Sequence, residues 1–564
     1  MPGVFAFRDT CTVYVLRSGR DAVLVDFGSG AVLDRLAELG VDRVTDVLVT
    51  HHHRDQVQGL ARAAAAGARI HVPPTELELF GRPPRSTWND YDLREDRFSL
   101  VDPLPGLQTV AEYRTKRVGG LAVYTLPTPG HTLGSETYLV EIDGRRVAFT
   151  GDLIYGDGQV WSPASLQWTY SGVEGWAATI VSCHTLAARE PDMLLPSHGG
   201  AIHEPGPALV RLAARMQELI DLRLPGEWNV AERVREPFAQ VTPHFLRNRT
   251  MFANSYALLS ESGRALLVDF GYDVTSTASS TERAARRTLL WSIEALDVEA
   301  VIVTHYHDDH VAGLNLLRDV TGAEVWAPAN VAPILEEPER YDLPCLWFDP
   351  IQVDRTIPLE SPTRWHEYEL TAYALPGHTR YAAAIGVEVD GKRVLATGDQ
   401  QTNDDGRSIL NYQYRNRFSP HDFVRSAELY RRIRPDMIVG GHWLPLEPTA
   451  AQLDALLADA QRTVQLHEEL AAPDGFGTDG FAARIEPYRS QIEAGATVEL
   501  EVAVAGGVTD VRLLVPEGWS VAPEHAAPGE SGAVVFRVTP SGSGRVIADV
   551  SPFGQQADAF VEVR

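Results

Sequence analysis

From Thr304 to His310 the chain reads Thr304-His305-Tyr306-His307-Asp308-Asp309-His310, three imidazoles and two carboxylates placed directly after the apolar run Val301-Ile302-Val303. In an extended segment, residues two apart point to the same side. His305 and His307 can therefore reach one metal ion together, while Asp309 and His310 follow as the chain turns and can offer an oxygen and a nitrogen to a neighbouring ion. Imidazole nitrogen and carboxylate oxygen suit zinc, and also iron or manganese. An echo stands earlier in the chain. After Val47-Leu48-Val49 comes Thr50-His51-His52-His53-Arg54-Asp55-Gln56, the same pattern with glutamine in place of the last histidine.

Further ligand-type residues follow each run in the same order. Downstream of the complete motif lie Pro376-Gly377-His378-Thr379, Thr397-Gly398-Asp399 and Gly440-Gly441-His442. Downstream of the altered one lie Pro129-Gly130-His131-Thr132, Thr150-Gly151-Asp152 and Pro196-Ser197-His198. The interval from His131 to Asp152 equals that from His378 to Asp399. Each candidate ligand closes an apolar, strand-like run at Gly or Pro, which predicts a loop at a strand end.

Both halves resemble the metallo-β-lactamase superfamily, whose signature is His-x-His-x-Asp-His followed by separate His, Asp and His ligands. The wording Thr-His-His-His-x-Asp in the first half is most similar to glyoxalase II-like members. The resemblance implies an α/β fold, an αβ/βα sandwich in two tandem copies, with metals at one edge of two packed sheets. It implies that His305, His307 and His378 hold one ion, that Asp309, His310 and His442 hold a second, and that Asp399 bridges them. In the first copy His51, His53 and His131 match the first ion's ligands, Asp152 the bridge, and Asp55 and His198 the second ion's ligands, with Gln56 departing from the pattern.

Two ions about 3.5–4 Å apart can deprotonate a water near neutral pH, giving a nucleophile for an ester, thioester, lactone, lactam or phosphoester. A metal-dependent hydrolase is the expected enzyme, with two zinc ions in the second copy, one or two in the first, and Asp309 and Asp55 in catalytic roles. The main activity is expected in the second copy, because a glutamine carbonyl is a poorer ligand than imidazole. A first copy holding a single iron, similar to the persulfide dioxygenases of the superfamily, is the alternative, as is a non-catalytic first copy serving as scaffold. His421, Arg380, Tyr412 and Tyr414, and in the first copy Tyr155, Trp161, Trp168 and Tyr170, flank ligand motifs and could touch substrate, although such aromatics more often pack loops. His52 should point away from His51 and His53 into a supporting role. No residue is assigned to substrate.

The repeat extends to the elements that position these groups. Ala22-Val23-Leu24-Val25-Asp26-Phe27-Gly28 answers Ala265-Leu266-Leu267-Val268-Asp269-Phe270-Gly271, an early strand ending in an acidic turn. Glu204-Pro205 and Glu447-Pro448 each open a segment of helical apolar spacing, with Leu209, Leu212, Met216 and Leu219 in one and Leu453, Leu456, Leu457 and Val464 in the other. Self-similarity on this scale means duplicated domains rather than a solenoid. The copies differ by seven extra residues around Pro83–Trp88 in the first and by an eleven-residue insertion near Thr275–Arg286 in the second, the latter expected as a solvated loop or helix start.

With 564 residues the chain should hold about three domains: 1–224 and 225–478 for the two copies and 479–564 for the tail. In the tail Val498, Leu500, Val502 and Val504 alternate with polar residues, and further short strands recur between Gly/Pro/Ser-rich turns. That pattern predicts a small β-sandwich. Pro516-Glu517-Gly518-Trp519 resembles immunoglobulin-like accessory domains, with Trp519 a core or corner residue. Such a tail would dock on the catalytic domains or form a dimer contact, which leaves a homodimer open. The formal charge of −26 disfavours a nucleic-acid partner. A small-molecule substrate is expected instead. No apolar run reaches the length of a membrane span, no secretory signal is visible, and Cys11, Cys183 and Cys345 read as buried small hydrophobes. A cytoplasmic protein is the simplest expectation.

Overall fold

A computed structural model of the chain describes residues 1–81, 99–100, 102–168, 172–226, 228–273, 288–347, 349–404, 407–472, 474–475, 477–478 and 480–564. The expected length differences around Pro83–Trp88 and Thr275–Arg286 lie outside the described residues, as does Tyr170. The chain forms two compact units, Met1–Phe238 with Asp273–Ser292, and Ala239–Tyr272 with Ile293–Arg564.

In the first unit a six-stranded sheet runs in the order Val4–Arg8, Thr12–Ser18, Asp21–Val25, Arg43–Leu48, Arg69–Val72, Gln108–Thr109. Its first three strands are antiparallel and the rest parallel. A five-stranded sheet follows in the order Met193–Pro196, Arg145–Gly151, Glu136–Ile142, Leu121–Pro127, Thr115–Val118. The sheets face each other through Tyr14, Val23, Val25, Leu48, Tyr138, Val140, Val147 and Phe149. The strand Asp21–Val25 reads Ala-Val-Leu-Val as one buried apolar run because helices cover the outer face of its sheet. Leu36, Val57, Leu60 and Ala63 pack on the first sheet, while Ile180, Leu186, Leu209 and Leu212 pack on the second. Leu289 is buried in the latter core, and the Leu290 amide donates to the Tyr113 hydroxyl at 3.1 Å.

The second unit repeats the plan. A seven-stranded sheet carries Tyr256–Leu259, Arg264–Val268, Asp297–Ile302 and Glu324–Pro328 at its centre. A five-stranded sheet runs in the order Pro362–Trp365, Tyr368–Ala374, Ala383–Val389, Lys392–Ala396, Met437–Val439. Phe245, Leu258, Val268, Ile302, Trp326, Leu370, Ile385 and Val394 fill the space between them. Helices Pro420–Ile433 and Ala450–Leu470 cover the second sheet through Ala427, Tyr430, Leu453 and Leu456. Each starts in a capping box, Ser419 with Asp422 and Thr449 with Gln452, which satisfies amides that the helix itself leaves open.

The helical spacings appear as Pro205–Arg223 and Ala450–Leu470, with Leu209, Leu212 and Met216 buried. Leu219 is a correction: it is exposed, and Ile220 takes the inward position. Cys345 is another: Cys11 and Cys183 are buried, but Cys345 is exposed on a left-handed backbone (φ 55°), where its carbonyl accepts the Asp308 amide at 2.9 Å.

The tail is all-β. One sheet orders Ala483–Glu486, Val498–Val504, Ala533–Thr539 and Ser520–Ala522, and the other Arg489–Ile492, Gly554–Val563, Gly544–Ser551, Asp510–Leu514 and His525–Ala526. Leu500, Val502, Phe536, Val546 and Val550 are buried between them, with Trp519 packed at the margin. It joins the rest of its unit through the Tyr488 amide on the Arg340 carbonyl at 2.8 Å.

Neighbouring positions on one tail strand make a stability test, because alternate side chains face opposite sides. Phe536 is fully buried and Val535 is 50 % exposed. In chemical denaturation of the full chain, Phe536→Ala should cost the tail about 3–5 kcal/mol. Val535→Ser should change it by less than about 0.5 kcal/mol. Similar losses at both positions would contradict the inward facing of Phe536.

Candidate metal centres

The ligand-type residues singled out in the sequence sit at one end of the strands, most on loops and Asp55, Asp309 and His310 on the short helices that follow the histidine loops. In the second unit, the strands Asp297–Ile302, Tyr368–Ala374, Lys392–Ala396 and Met437–Val439 end just before His305, His378, Asp399 and His442 respectively. His307 ends the extended stretch and leads into the short helix Asp308–Val311, which carries Asp309 and His310. The strand-then-turn spacing thus turns four side chains towards one place.

Ligand atoms of His305, His307, His378 and Asp399 lie within 4.8 Å of one another, and so do those of Asp309, His310, Asp399 and His442. Asp399 belongs to both sets. His378 Nε2 is 3.2 Å from His307 Nδ1, and His310 Nε2 is 3.3 Å from Asp399. His442 Nε2 stands 3.1 Å from Asp309 and 3.2 Å from Asp399. His305 Nε2 and His307 Nε2 are buried without a hydrogen-bond partner among the described residues. Buried polar atoms are rarely left so, and a shared cation is the partner this donor set fits.

The electrostatics agree. Burial, then the neighbouring imidazoles, holds His305 far below the ordinary imidazole range and pulls His307 down to about 3. Both are therefore neutral, the form that ligates. The other set has an excess of negative charge. At His442 burial lowers the pKa, but hydrogen bonds to Asp309 and Asp399 outweigh it and raise it to about 9. At His310 burial is likewise outweighed, by the charges of Asp399, Asp309 and Asp269.

Supporting residues fix these rings. Asp269, on a left-handed turn (φ 58°), accepts the Thr304 amide and hydroxyl at 2.7 Å each and His310 Nδ1 at 2.8 Å. That leaves His310 Nε2 to face the ligand cluster. His378 Nδ1 donates to the Asn411 carbonyl at 2.9 Å, and the Asn416 amide donates to the His378 carbonyl at 2.9 Å. A Cβ at Gly271 would stand 1.7 Å from the Asp309 carbonyl oxygen, so the acidic turn approaches the ligand helix as only glycine allows.

In the first unit His51, His53 and His131 form one cluster, and Asp55, Asp152 and His198 another. His131 Nε2 is 3.0 Å from His53 Nδ1 and 3.4 Å from Asp152. His51 Nε2 is 3.7 Å from Asp152. The Gln56 amide donates to Asp152 at 3.2 Å. Both nitrogens of His198 face protein oxygens, Nδ1 on Asp152 at 2.9 Å and Nε2 at 3.3 Å from both Thr10 and Asp55, and Trp161 stacks flat on its ring at 4.1 Å. Without an imidazole at position 56 the carboxylates lose a cationic neighbour. Burial, then Asp152, raises the pKa of Asp55, whereas at Asp309 burial is outweighed by the His310 charge together with His442, and the pKa is lowered.

One further difference pairs with Gln56. Asp26, the counterpart of Asp269, accepts the Ser197 hydroxyl at 2.5 Å where Asp269 accepts an imidazole. The residue matching Ser197 is Gly441, and a Cβ there would stand 2.1 Å from Asp399 Oδ1 and 2.6 Å from His310 Cε1. Gly441 has no positive φ, so the demand is for space rather than for backbone freedom. Histidine with glycine in one copy, and glutamine with serine in the other, are alternative fillings of one volume.

His52 does point away from the cluster: its ring lies 3.1 Å from buried Glu76, whose other oxygen accepts the Gly134 amide at 3.1 Å and the Thr132 hydroxyl. Glu76 thereby ties the first histidine loop to the loop of His131. Of the flanking residues, Trp161 touches His198, Trp168 is buried against Leu133 and Ala178, and Tyr412 and Tyr414 pack with Phe418 and His467. His421 is exposed on its helix. Asp26, Asp269, Glu76, Ser197 and Asn411 were not foreseen as parts of the site; the acidic turn shared by both halves was the signal for the first two.

The metallo-beta-lactamase superfamily model matches residues 6–198 and again 249–442. A hydroxyacylglutathione hydrolase of Fuscovulum blasticum is 30% identical over 230 residues, which cover 38% of this chain and 76% of that protein. An atrochrysone carboxyl ACP thioesterase of Aspergillus chevalieri is 25% identical over 240 residues, 42% of this chain and 63% of that protein. A crystal structure of a metallo-beta-lactamase family protein from Thermus thermophilus aligns at TM-score 0.31 and 21% identity, covering 43% of this chain and 97% of that one. With the family's domain matched twice and a His/Asp cluster at each corresponding place, the chain belongs to the metallo-β-lactamase superfamily as a metal-dependent hydrolase carrying two copies of the domain.

Proposed function

We propose that the second copy is the main hydrolase, acting on a thioester or ester of a small molecule. The observation that carries this is the pair of four-residue clusters sharing Asp399, one set neutral and the other rich in carboxylate. His305, His307, His378 and Asp399 would hold one divalent ion, zinc by donor chemistry, and Asp309, His310, His442 and Asp399 a second. Such a pair, when bound, supplies a nucleophile from water near neutral pH and polarises the substrate's carbonyl. The chain's own residues do the rest. Asp269 orients His310, and Asn411 orients His378. Asp309, 3.1 Å from His442, would accept a proton from the attacking water. His442 is 26 % exposed at the side chain, so the cluster opens to solvent there. Phe252 contacts the same ring at 5.7 Å and Trp443 at 5.6 Å, lining that opening with apolar surface suited to an acyl group. The thioesterase among the relatives supports a thioester as the bond cleaved.

For the first copy, Gln56 favours one ion, held by His51, His53, His131 and Asp152, with Asp55 and His198 engaged by protein partners. A single iron and oxidative chemistry is the second reading that this observation supports. Iron content and oxygen uptake would establish it, and zinc without oxygen uptake would exclude it.

Two outcomes follow. His305→Ala should lower thioester hydrolysis by two orders of magnitude or more. His51→Ala should lower it less than about fivefold if turnover belongs to the second copy; the reverse ranking would overturn the assignment. In a chain whose second centre is disabled by His305→Ala and His310→Ala, elemental analysis should find about one ion per chain. Adding Gln56→His alone should not raise the count, because Ser197 fills the ring's space. Adding Gln56→His with Ser197→Gly should raise it towards two, and equal counts for the single and double variants would refute the coupling.

A further inference from the structure

Gln400 directly follows the shared carboxylate Asp399, is buried, and reaches with its carboxamide to the loop of His378. Its Oε1 accepts the His378 backbone amide at 3.1 Å, and its Nε2 donates to the Pro376 carbonyl at 3.1 Å. Turning the amide over would set donor against donor and acceptor against acceptor, so its partners fix its orientation. The two bonds straddle Gly377. A Cβ on that residue would stand 2.2 Å from Gln400 Nε2, so glycine is what lets the carboxamide come this close. Glycine also leaves the backbone ahead of His378 unusually free, and the carboxamide removes that freedom by holding the peptide groups on both sides.

These bonds belong to a ring of contacts between two ligand loops. The Asn411 amide donates to the Gln400 carbonyl at 3.4 Å, and the Asn411 side chain donates to the Asp399 carbonyl at 2.9 Å. His378 is thus held at its backbone amide by Gln400, at its carbonyl by Asn416 and at ring Nδ1 by the Asn411 carbonyl. All three partners come from the segment that leads on from Asp399. A shift of either ligand therefore drags the other.

The first copy builds the same loop without this clip. The Gly130 amide donates to the Thr132 carbonyl at 3.0 Å, as that of Gly377 donates to Thr379 at 3.1 Å. The Ser182 hydroxyl donates to the Pro129 carbonyl at 2.6 Å, as that of Ser426 donates to Pro376 at 2.7 Å. The residue after Asp152, however, is Leu153, an apolar side chain buried in the core. Beside Gly130 stands Thr179, whose hydroxyl donates to the Gly175 carbonyl within its own helix at 2.7 Å. His131 Nδ1 is buried with no hydrogen-bond partner among the described residues.

We propose that Gln400 is a positioning residue of the second copy, which locks His378 to Asp399 and so preorganises His305, His307, His378 and Asp399 for a zinc ion. The inference rests on the reading of the second copy as a metal-dependent hydrolase. It adds a difference in ion affinity between the copies that is independent of Gln56.

Zinc affinity tests this in the full chain, with His51→Ala and His53→Ala silencing the first copy. Gln400→Met keeps the length of the side chain and removes both hydrogen bonds. It should weaken the tighter-bound zinc at least about tenfold in chelator competition. Ser426→Ala removes the other bond on the Pro376 carbonyl without touching His378, and should leave zinc affinity nearly unchanged. Melting of the zinc-free variants supplies the fold control. Zinc affinity unchanged in Gln400→Met, or lost in proportion to Tm across the two variants, would overturn the proposal. Loaded with cobalt(II), Gln400→Met should show a visible spectrum shifted from the parent's, and Ser426→Ala the parent's spectrum. Identical spectra in all three chains would also overturn it. Absence of thioester turnover in the parent, with the zinc ranking as expected, would instead count against the hydrolase reading alone.

Discussion

A single buried carboxylate organises each copy. Asp269 closes the strand Arg264–Val268, takes the left-handed turn, and accepts both the amide and hydroxyl of Thr304 at the head of the histidine loop. Through His310 Nδ1 it also orients an imidazole of the cluster. The parallel pairing of Val268 with Ile302 brings the two strand ends level, so the carboxylate and the loop it holds arrive together. Without that anchor the loop would have no reason to place His305 and His307 in register with His378 and Asp399. A carboxylate in this position is costly unless its oxygens are satisfied, and they are, by a backbone donor, a hydroxyl and a ring nitrogen.

In the first copy the same anchor meets a different load. Asp26 keeps the Thr50 amide and hydroxyl but has lost the imidazole, and the Ser197 hydroxyl stands in. Burial then raises Asp26 to about 7, with the hydrogen bonds from Ser197 and Thr50 only partly offsetting it. The fold tolerates this because the strand-end geometry is set by the sheet core, not by the ions. The scaffold therefore survives a change in the side chains it presents at the strand ends.

Much of this was legible in the sequence because ligand groups stand at fixed offsets from apolar runs. Periodicity marks the strands, glycine and proline mark their ends, and the doubled order of His, Asp and His removes most chance matches. The supporting groups were harder to see. Glu76 lies in a short turn-rich segment, and nothing local marks it as the partner of His52 and Thr132, which come from distant loops. Ser197 and Gly441 look like interchangeable small residues until the space beside His310 is measured. Leu219 was misplaced by one position because a helix of 3.6 residues per turn lets two neighbours compete for the inward face. The tail's long alternating strands were plain, but its shortest ones, such as His525–Ala526, carry too little pattern to read.

The exchange of His310 and Gly441 for Gln56 and Ser197 has a historical consequence. A duplicated domain that loses its imidazole can acquire a serine in the vacated space, and the serine then gains its own hydrogen bond to the anchoring carboxylate. From that point a return to histidine meets an occupied volume, and removing the serine first leaves Asp26 short of a donor. Each single step back is uphill, so the divergence between the copies behaves as a ratchet, and two matching domains are held to different side-chain sets by one methylene and one hydroxyl.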